Sequence, residues 1–260
     1  MRRQCLLIGL IITAFLLLPR ISQAAHPLIT DDTGTQGKGK FQLELNGQYD
    51  SDKDEADGIT VKTTGGQISS TLSYGIIDTV DLVVTLPYQW NKIEEDNVTT
   101  YDEKGVSDTV FEAKWRFWEK NGSSFALKPG IRLPTGNDEK GLGAGKVGGQ
   151  IFLIGSQELG SWALHANLGY IRNENKAGEQ KNIWHASIAA AWEVVKDLKL
   201  IANTGIERNT DDNAKNNPAF LIGGIIYSVT ENFDLDCGVK YGLTSSETDW
   251  SWMAGITIRF

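Results

Sequence analysis

A period of two, returning again and again after residue 40, constrains this chain more than any other feature of its sequence. Residues 41–49 read Phe-Gln-Leu-Glu-Leu-Asn-Gly-Gln-Tyr, with Phe41, Leu43, Leu45 and Tyr49 on one side and Gln42, Glu44, Asn46 and Gln48 on the other. Successive side chains of a strand point to opposite faces, so such alternation specifies a strand with one apolar and one polar face. The pattern recurs at Val80–Trp90, Phe125–Leu133, Trp162–Tyr170 and Phe233–Tyr241. Less regular strands fit 60–76, 107–118, 147–157, 182–194, 198–208 and 218–229, and 250–260 completes a set of twelve. Segments of about ten residues suit tilted strands crossing an outer membrane.

The connections point the same way. Polar stretches at 51–58, 92–106, 135–146, 172–181, 209–217 and 243–248 alternate with short turns at 77–79, 120–122, near Gly160, at 196–197 and at 230–232. Alternating long outer loops and short inner turns is the signature of an outer-membrane barrel, and an even strand number places both termini on the periplasmic side. The expectation is an all-β fold: a transmembrane antiparallel β-barrel of twelve strands over residues 40–260, after a periplasmic N-terminal segment at 25–39.

Aromatic residues gather at the strand ends. Tyr88, Trp90, Tyr170, Trp184, Trp250 and Trp252 fall at outer ends, and Phe41, Tyr74, Trp162, Trp192 and Phe233 at inner ends. Amphipathic rings favour both membrane interfaces, whereas a soluble sandwich buries its aromatics mid-strand. The last strand alternates Trp252, Ala254, Ile256, Ile258 and Phe260 with Met253, Gly255, Thr257 and Arg259. Its terminal Phe260 resembles the C-terminal signal that the barrel assembly machinery reads.

Composition now excludes other classes. Helical membrane proteins need several apolar runs of about 20 residues, and the mean hydropathy here is −0.26. The single long apolar run, Leu6–Leu18, follows Arg2 and Arg3 and ends at Ser22-Gln23-Ala24, which reads as a cleaved Sec signal peptide at 1–24 and export to the cell outer membrane of a Gram-negative bacterium. With 25 basic against 33 acidic residues the chain has no electrostatic footprint for nucleic acid. Two cysteines are too few for a disulfide scaffold.

Four stretches carry a family resemblance: His26-Pro27-Leu28-Ile29-Thr30-Asp31-Asp32-Thr33-Gly34-Thr35 with Gly37–Phe41, Gly105-Val106-Ser107-Asp108 leading to Lys114, Arg132-Leu133-Pro134-Thr135-Gly136, and His165–Tyr170. Across essentially the whole mature chain the sequence resembles the outer-membrane family labelled "putative meta-pathway of phenol degradation". That resemblance implies a barrel with a transporter- or porin-like role, with aromatic catabolites as candidate solutes.

Alternation turns a charged set inward, and the candidates for a solute path are Asp81, Asp108, Glu112, Lys114, Arg116, Lys128, Arg132, His165, Asp236 and Lys240. In a water-filled pore such groups steer ions and polar solutes; in a narrow barrel they pair and hold the wall together. Twelve strands lie between the eight that side chains fill and the sixteen that leave an aqueous channel, so both readings stand. The surplus of Lys and Arg at 107–118 and 125–133 leans toward anionic solutes.

The alternatives rest on less. Acidic stretches at Ile93–Asp96 and Thr210–Asp212 suit an adhesin-like surface, or simply solvated loops. A lipid hydrolase needs Ser and His together at the lipid face; His185-Ala186-Ser187 has the spacing, but both side chains point inward with no Asn or Asp partner evident. Histidines on distant strands supply no third metal ligand, and Gly143–Gly148 matches a nucleotide-binding glycine pattern without its strand-to-helix context. Neither cofactor nor metal is expected. The expected partners are outer-membrane lipids and lipopolysaccharide, the barrel assembly machinery and a small-molecule solute.

Overall fold

In the computed structural model, which describes residues 26–56 and 58–260, the alternating segments form one closed antiparallel sheet. The signal peptide expected at 1–24 lies outside the described residues. In chain order the strands are β1 (Phe41–Ala56), β2 (Ile59–Ile77), β3 (Val80–Glu95), β4 (Val98–Val106), β5 (Thr109–Lys120), β6 (Ser123–Leu133), β7 (Gly148–Leu159), β8 (Trp162–Arg172), β9 (Asn182–Val195), β10 (Leu198–Glu207), β11 (Ala219–Thr230), β12 (Phe233–Gly242) and β13 (Trp250–Arg259). Consecutive neighbours pair around the ring, and β1 closes it against β13 from Gln42↔Arg259 to Ser51↔Trp250.

Thirteen strands make twelve staves. β5 pairs with the inner part of β3, from Val80↔Trp115 to Thr85↔Val110, while β4 pairs with its outer part, from Tyr88↔Val106 to Glu95↔Val98. β4 and β5 are therefore two lengths of one stave. Two stretches expected as loops, 51–58 and 92–106, carry strand instead: residues 51–56 extend β1 along β2 to the pair Ala56↔Ile59, and 92–106 forms the β3–β4 ribbon. Beyond the hydrocarbon slab a strand needs no apolar face, so the ladder continues where the hydrophobic period has stopped.

Aromatic spacing sets the height of the apolar band. Phe41 and Tyr49 on β1, Trp162 and Tyr170 on β8, Trp184 and Trp192 on β9, and Phe233 and Tyr241 on β12 stand at the two ends of nine-residue spans. At about 3.3 Å per residue those spans cover roughly 26 Å along the strand before tilt, close to the apolar height of a barrel. At one edge Tyr241 and Trp250 lie 4.8 Å apart and Tyr49 and Trp252 5.9 Å; at the other, Trp162 stacks on Trp192 at 5.3 Å and Phe41 on Phe260 at 5.7 Å.

Inside, the wall is of two kinds. On β9–β11 the inward side chains include Ala191, Ile201, Phe220, Ile222 and Ile226, which form a buried apolar cluster with Met253 of β13. Apolar residues on both faces explain why these strands alternate poorly in the sequence. On β1–β3 the inward side chains are almost all polar, from Gln42 and Glu44 to Asp50 and Asp52. The segment expected as a periplasmic lead-in, 25–39, is placed differently: its described residues up to Gly37 run inside the barrel. A twelve-stranded lumen is too wide for wall side chains alone to fill, and this stretch supplies the matching polar groups.

Candidate functional site: the barrel lumen

The N-terminal segment sweeps around the inside of the wall and bonds to stave after stave. Near its junction with β1, Lys38 N donates to Asp78 Oδ1 at 3.0 Å and Gln36 N to the Asp81 carboxylate at 3.0 and 3.2 Å. Thr33 N donates to Ser156 Oγ of β7 at 3.1 Å, and Thr33 Oγ1 lies 2.5 Å from Ser124 Oγ of β6. Asp31 receives Lys114 Nζ of β5 at 2.8 Å and Lys128 Nζ of β6 at 3.1 Å, and the latter also reaches Glu112 at 3.0 Å. Further on, Ile29 N and Thr30 N donate to Asn203 Oδ1 of β10 at 2.8 and 3.1 Å. His26 Nδ1 ends the circuit 2.6 Å from Asp236 Oδ1 of β12.

Apolar contacts follow the same track. Leu28 packs against the Ile201–Phe220–Ile222 cluster. Pro27 fits a notch made by Gly224 and Gly238, which are cross-strand partners on β11 and β12; a Cβ there would lie 2.9 and 2.7 Å from the proline Cγ. Buried Asp32 lies 3.7 Å from Lys114 Nζ and accepts Gly34 N at 2.7 Å. Desolvated carboxylates inside a protein require such paired donors.

These contacts sort the ten path candidates. Asp81, Lys114, Lys128 and Asp236 hold the segment directly, Glu112 shares Lys128, and His165 supports Ser156 through a 2.9 Å bond to Oγ. Arg116 stays at the inner rim, 3.2 Å from Glu119 and donating to Asp78 O at 3.3 Å. The remaining three belong to the outer mouth. Asp108 accepts Gly136 N at 3.0 Å and Ala144 N at 2.8 Å with Arg132 Nε 3.6 Å away, and Lys240 pairs with Glu247 at 2.8 Å. The cations that leaned toward anionic solutes are thus matched by carboxylates.

Asp108 clamps both sides of the loop at 134–147, which folds over the mouth and buries Leu142. Tyr101 of β4 donates to Lys140 O at 2.5 Å, and Lys140 Nζ meets Glu103 at 2.9 Å. Lys176 of the next outer loop lies 2.9 Å from Asp138, and that hydrogen bond holds the Asp138 carboxyl below its ordinary range.

Along the polar β1–β3 wall the segment leaves space. A cavity of about 230 Å³ lies between residues 28–36 and the inward side chains Gln42, Glu44, Asn46, Thr71 and Thr85. A second cavity, of about 440 Å³, lies on the outer side of it against Gln48, Asp50, Asp52, Gln67 and Gln89. Glu44 accepts hydrogen bonds from the Gln42 and Asn46 amides, and Asp50 accepts one from Gln48 at 2.7 Å.

One arrangement has the form of a catalytic relay: His185 Nε2 lies 3.0 Å from Ser187 Oγ, and Nδ1 lies 3.0 Å from Glu207 Oε2. Glu207 is the partner that local spacing could not reveal, 22 residues away on the adjacent strand. Ser187 is buried and faces the lumen, so its hydroxyl does not meet lipid. Among the described residues no group of three His, Cys, Asp or Glu could hold a metal ion.

Sequence reasoning missed residues 26–38, together with Ser124, Ser156, Asn203 and Glu247. Their signal was faint but physical: inward small polar residues such as Ser156 and Asn203, at positions where a wide barrel needs something to bond, and two inward glycines, Gly224 and Gly238, at the same height.

Comparison with known proteins places this geometry. The family model described as "Putative MetA-pathway of phenol degradation" matches residues 29–260. An outer membrane channel from Pseudomonas putida F1 superposes with a TM-score of 0.68 at 16% identity, covering 91% of this chain and all of that one. The NanC porin gives 0.54 at 10% identity, covering 83% and 98%. The translocator domain of autotransporter NalP from Neisseria meningitidis gives 0.52 at 14%, covering 86% and 89%. No curated protein matches this sequence.

Proposed function

The chain belongs to the family described as "Putative MetA-pathway of phenol degradation", and from that premise we propose that it is an outer-membrane channel through which small solutes pass passively, narrowed by its own N-terminal segment. One observation carries this reading. The segment rings the inside of the barrel yet leaves a cavity of about 230 Å³ between itself and the β1–β3 wall. A structural plug would be expected to close that space with packed side chains, since protein interiors tolerate few voids larger than a water molecule. Sec export, insertion by the barrel assembly machinery through Phe260, and contact with lipopolysaccharide belong to the same proposal. Aromatic catabolites are the first solutes to try, on the strength of the family's description.

Planar-bilayer recording tests it. The full mature protein is expected to give small, steady conductance steps, and a variant lacking residues 26–38 steps several-fold larger, because conductance follows the open cross-section of the lumen. A silent full-length protein together with a silent truncated one, both migrating as folded barrels, would sink the channel reading and leave a non-conducting or surface-interaction barrel.

A further inference from the structure

The hydrogen bonds of the N-terminal segment are unevenly distributed. They reach β3, β5, β6, β7, β10 and β12, and its apolar side covers the β9–β11 cluster. Against the inward faces of β1 and β2 it leaves the cavity described above. The second cavity continues along the same strands: Asn46 lines the first and Gln48, the next inward residue of β1, lines the second. One inward step on a strand is about 7 Å, so the two spaces are stacked along one wall rather than scattered through the lumen.

Charge along that wall has one sign. The three cations lining the inner cavity are each in an ion pair: Lys114 with Asp31 at 2.8 Å, Lys128 with Glu112 at 3.0 Å, and Arg259 with Asp234 at 2.6 Å. Glu44, on the same lining, has amide donors and no ion pair among the described residues. Among the described residues the outer cavity is lined by Asp50 and Asp52 and by no Lys or Arg. A carboxylate with only amide or backbone donors has no cation beside it to offset its charge, and in its ionised form it projects that charge into a narrow space bounded by protein of low dielectric constant.

We infer that solutes cross this barrel along the β1–β3 wall, past Glu44, Asp50 and Asp52, and that these carboxylates make the path favour cations and neutral polar solutes over anions. The inference rests on the channel reading, and it reverses the anionic preference that the lysines and arginines of β5 and β6 suggested.

Reversal potentials in a KCl gradient test it with the full mature chain. Wild type is expected to favour K⁺ over Cl⁻ several-fold, and the combined variant Glu44→Gln, Asp50→Asn, Asp52→Asn to fall close to no preference with its conductance steps retained. Glu207→Gln, on β10 across the lumen, should leave the ratio unchanged. Single substitutions, each expected to lower the ratio part of the way, serve if the combined variant fails to migrate as a folded barrel. A conducting wild type that favours Cl⁻, or a ratio indifferent to the three carboxylates, overturns the assigned path while the channel stands. Silence of wild type and of the variant lacking 26–38 overturns both.

Discussion

Pro27 rests where two strands offer no side chain. A Cβ at Gly238 would lie 2.7 Å from the proline Cγ, well inside contact distance, so Gly238→Val should dislodge the tip of the N-terminal segment while leaving the ladder of β12 intact. The expected result is a conductance moving several-fold toward that of the truncated protein, with unchanged heat-modifiable migration; an unaltered conductance would show that Pro27 docking does not narrow the path. Much of the residue-level placement could be read from alternation alone: Asp81, Lys114, Lys128 and Asp236 do face inward. What they bind could not, because the partners come from far along the chain. Asp31 is 83 residues from Lys114, and His26 is 210 from Asp236. Net charge inside the lumen was hidden for the same reason, since counting Lys and Arg on one strand says nothing about the carboxylates brought against them.

At the scale of elements, the apolar two-residue period marked each stave wherever lipid lies on one side and water or polar groups on the other. It lost the hairpin extensions of β1–β2 and β3–β4, which need no apolar face, and it blurred on β11, where Phe220 and Ile222 face in while Leu221 and Ile225 face out. The outer loop at 134–147 has its own chemistry. Because the Lys176 ammonium lowers the pKa of Asp138, the pair's contribution is complete above the ordinary aspartate value of about 4 and is lost as pH falls through the lowered one. Pepsin cleavage beside Leu142 is therefore expected to rise several-fold as pH drops from about 4 toward 2. In Lys176→Met, where the pair is absent at every pH, cleavage should already be high at pH about 4 and change little below it. Equal cleavage profiles for the two proteins would show that the pair does not hold the loop.

For the molecule as a whole, closure was legible and occupancy was not. Strand number, antiparallel order and the seam between β1 and β13 follow from alternation, turn spacing and the terminal Phe260. Nothing local in residues 26–38 says that they turn back into the lumen; that follows from a volume the wall cannot fill and from donors on many strands at once. The segment is also joined covalently to β1 through Gly39 and Lys40, right at the closing seam. A tether that short holds a ligand at an effective concentration on the order of millimolar. Undocking is then a contest the attached copy keeps winning, and each release is answered from within the same molecule. A synthetic peptide of residues 26–38 added to the truncated barrel should match the narrowing given by the attached segment only as its concentration approaches about a millimolar.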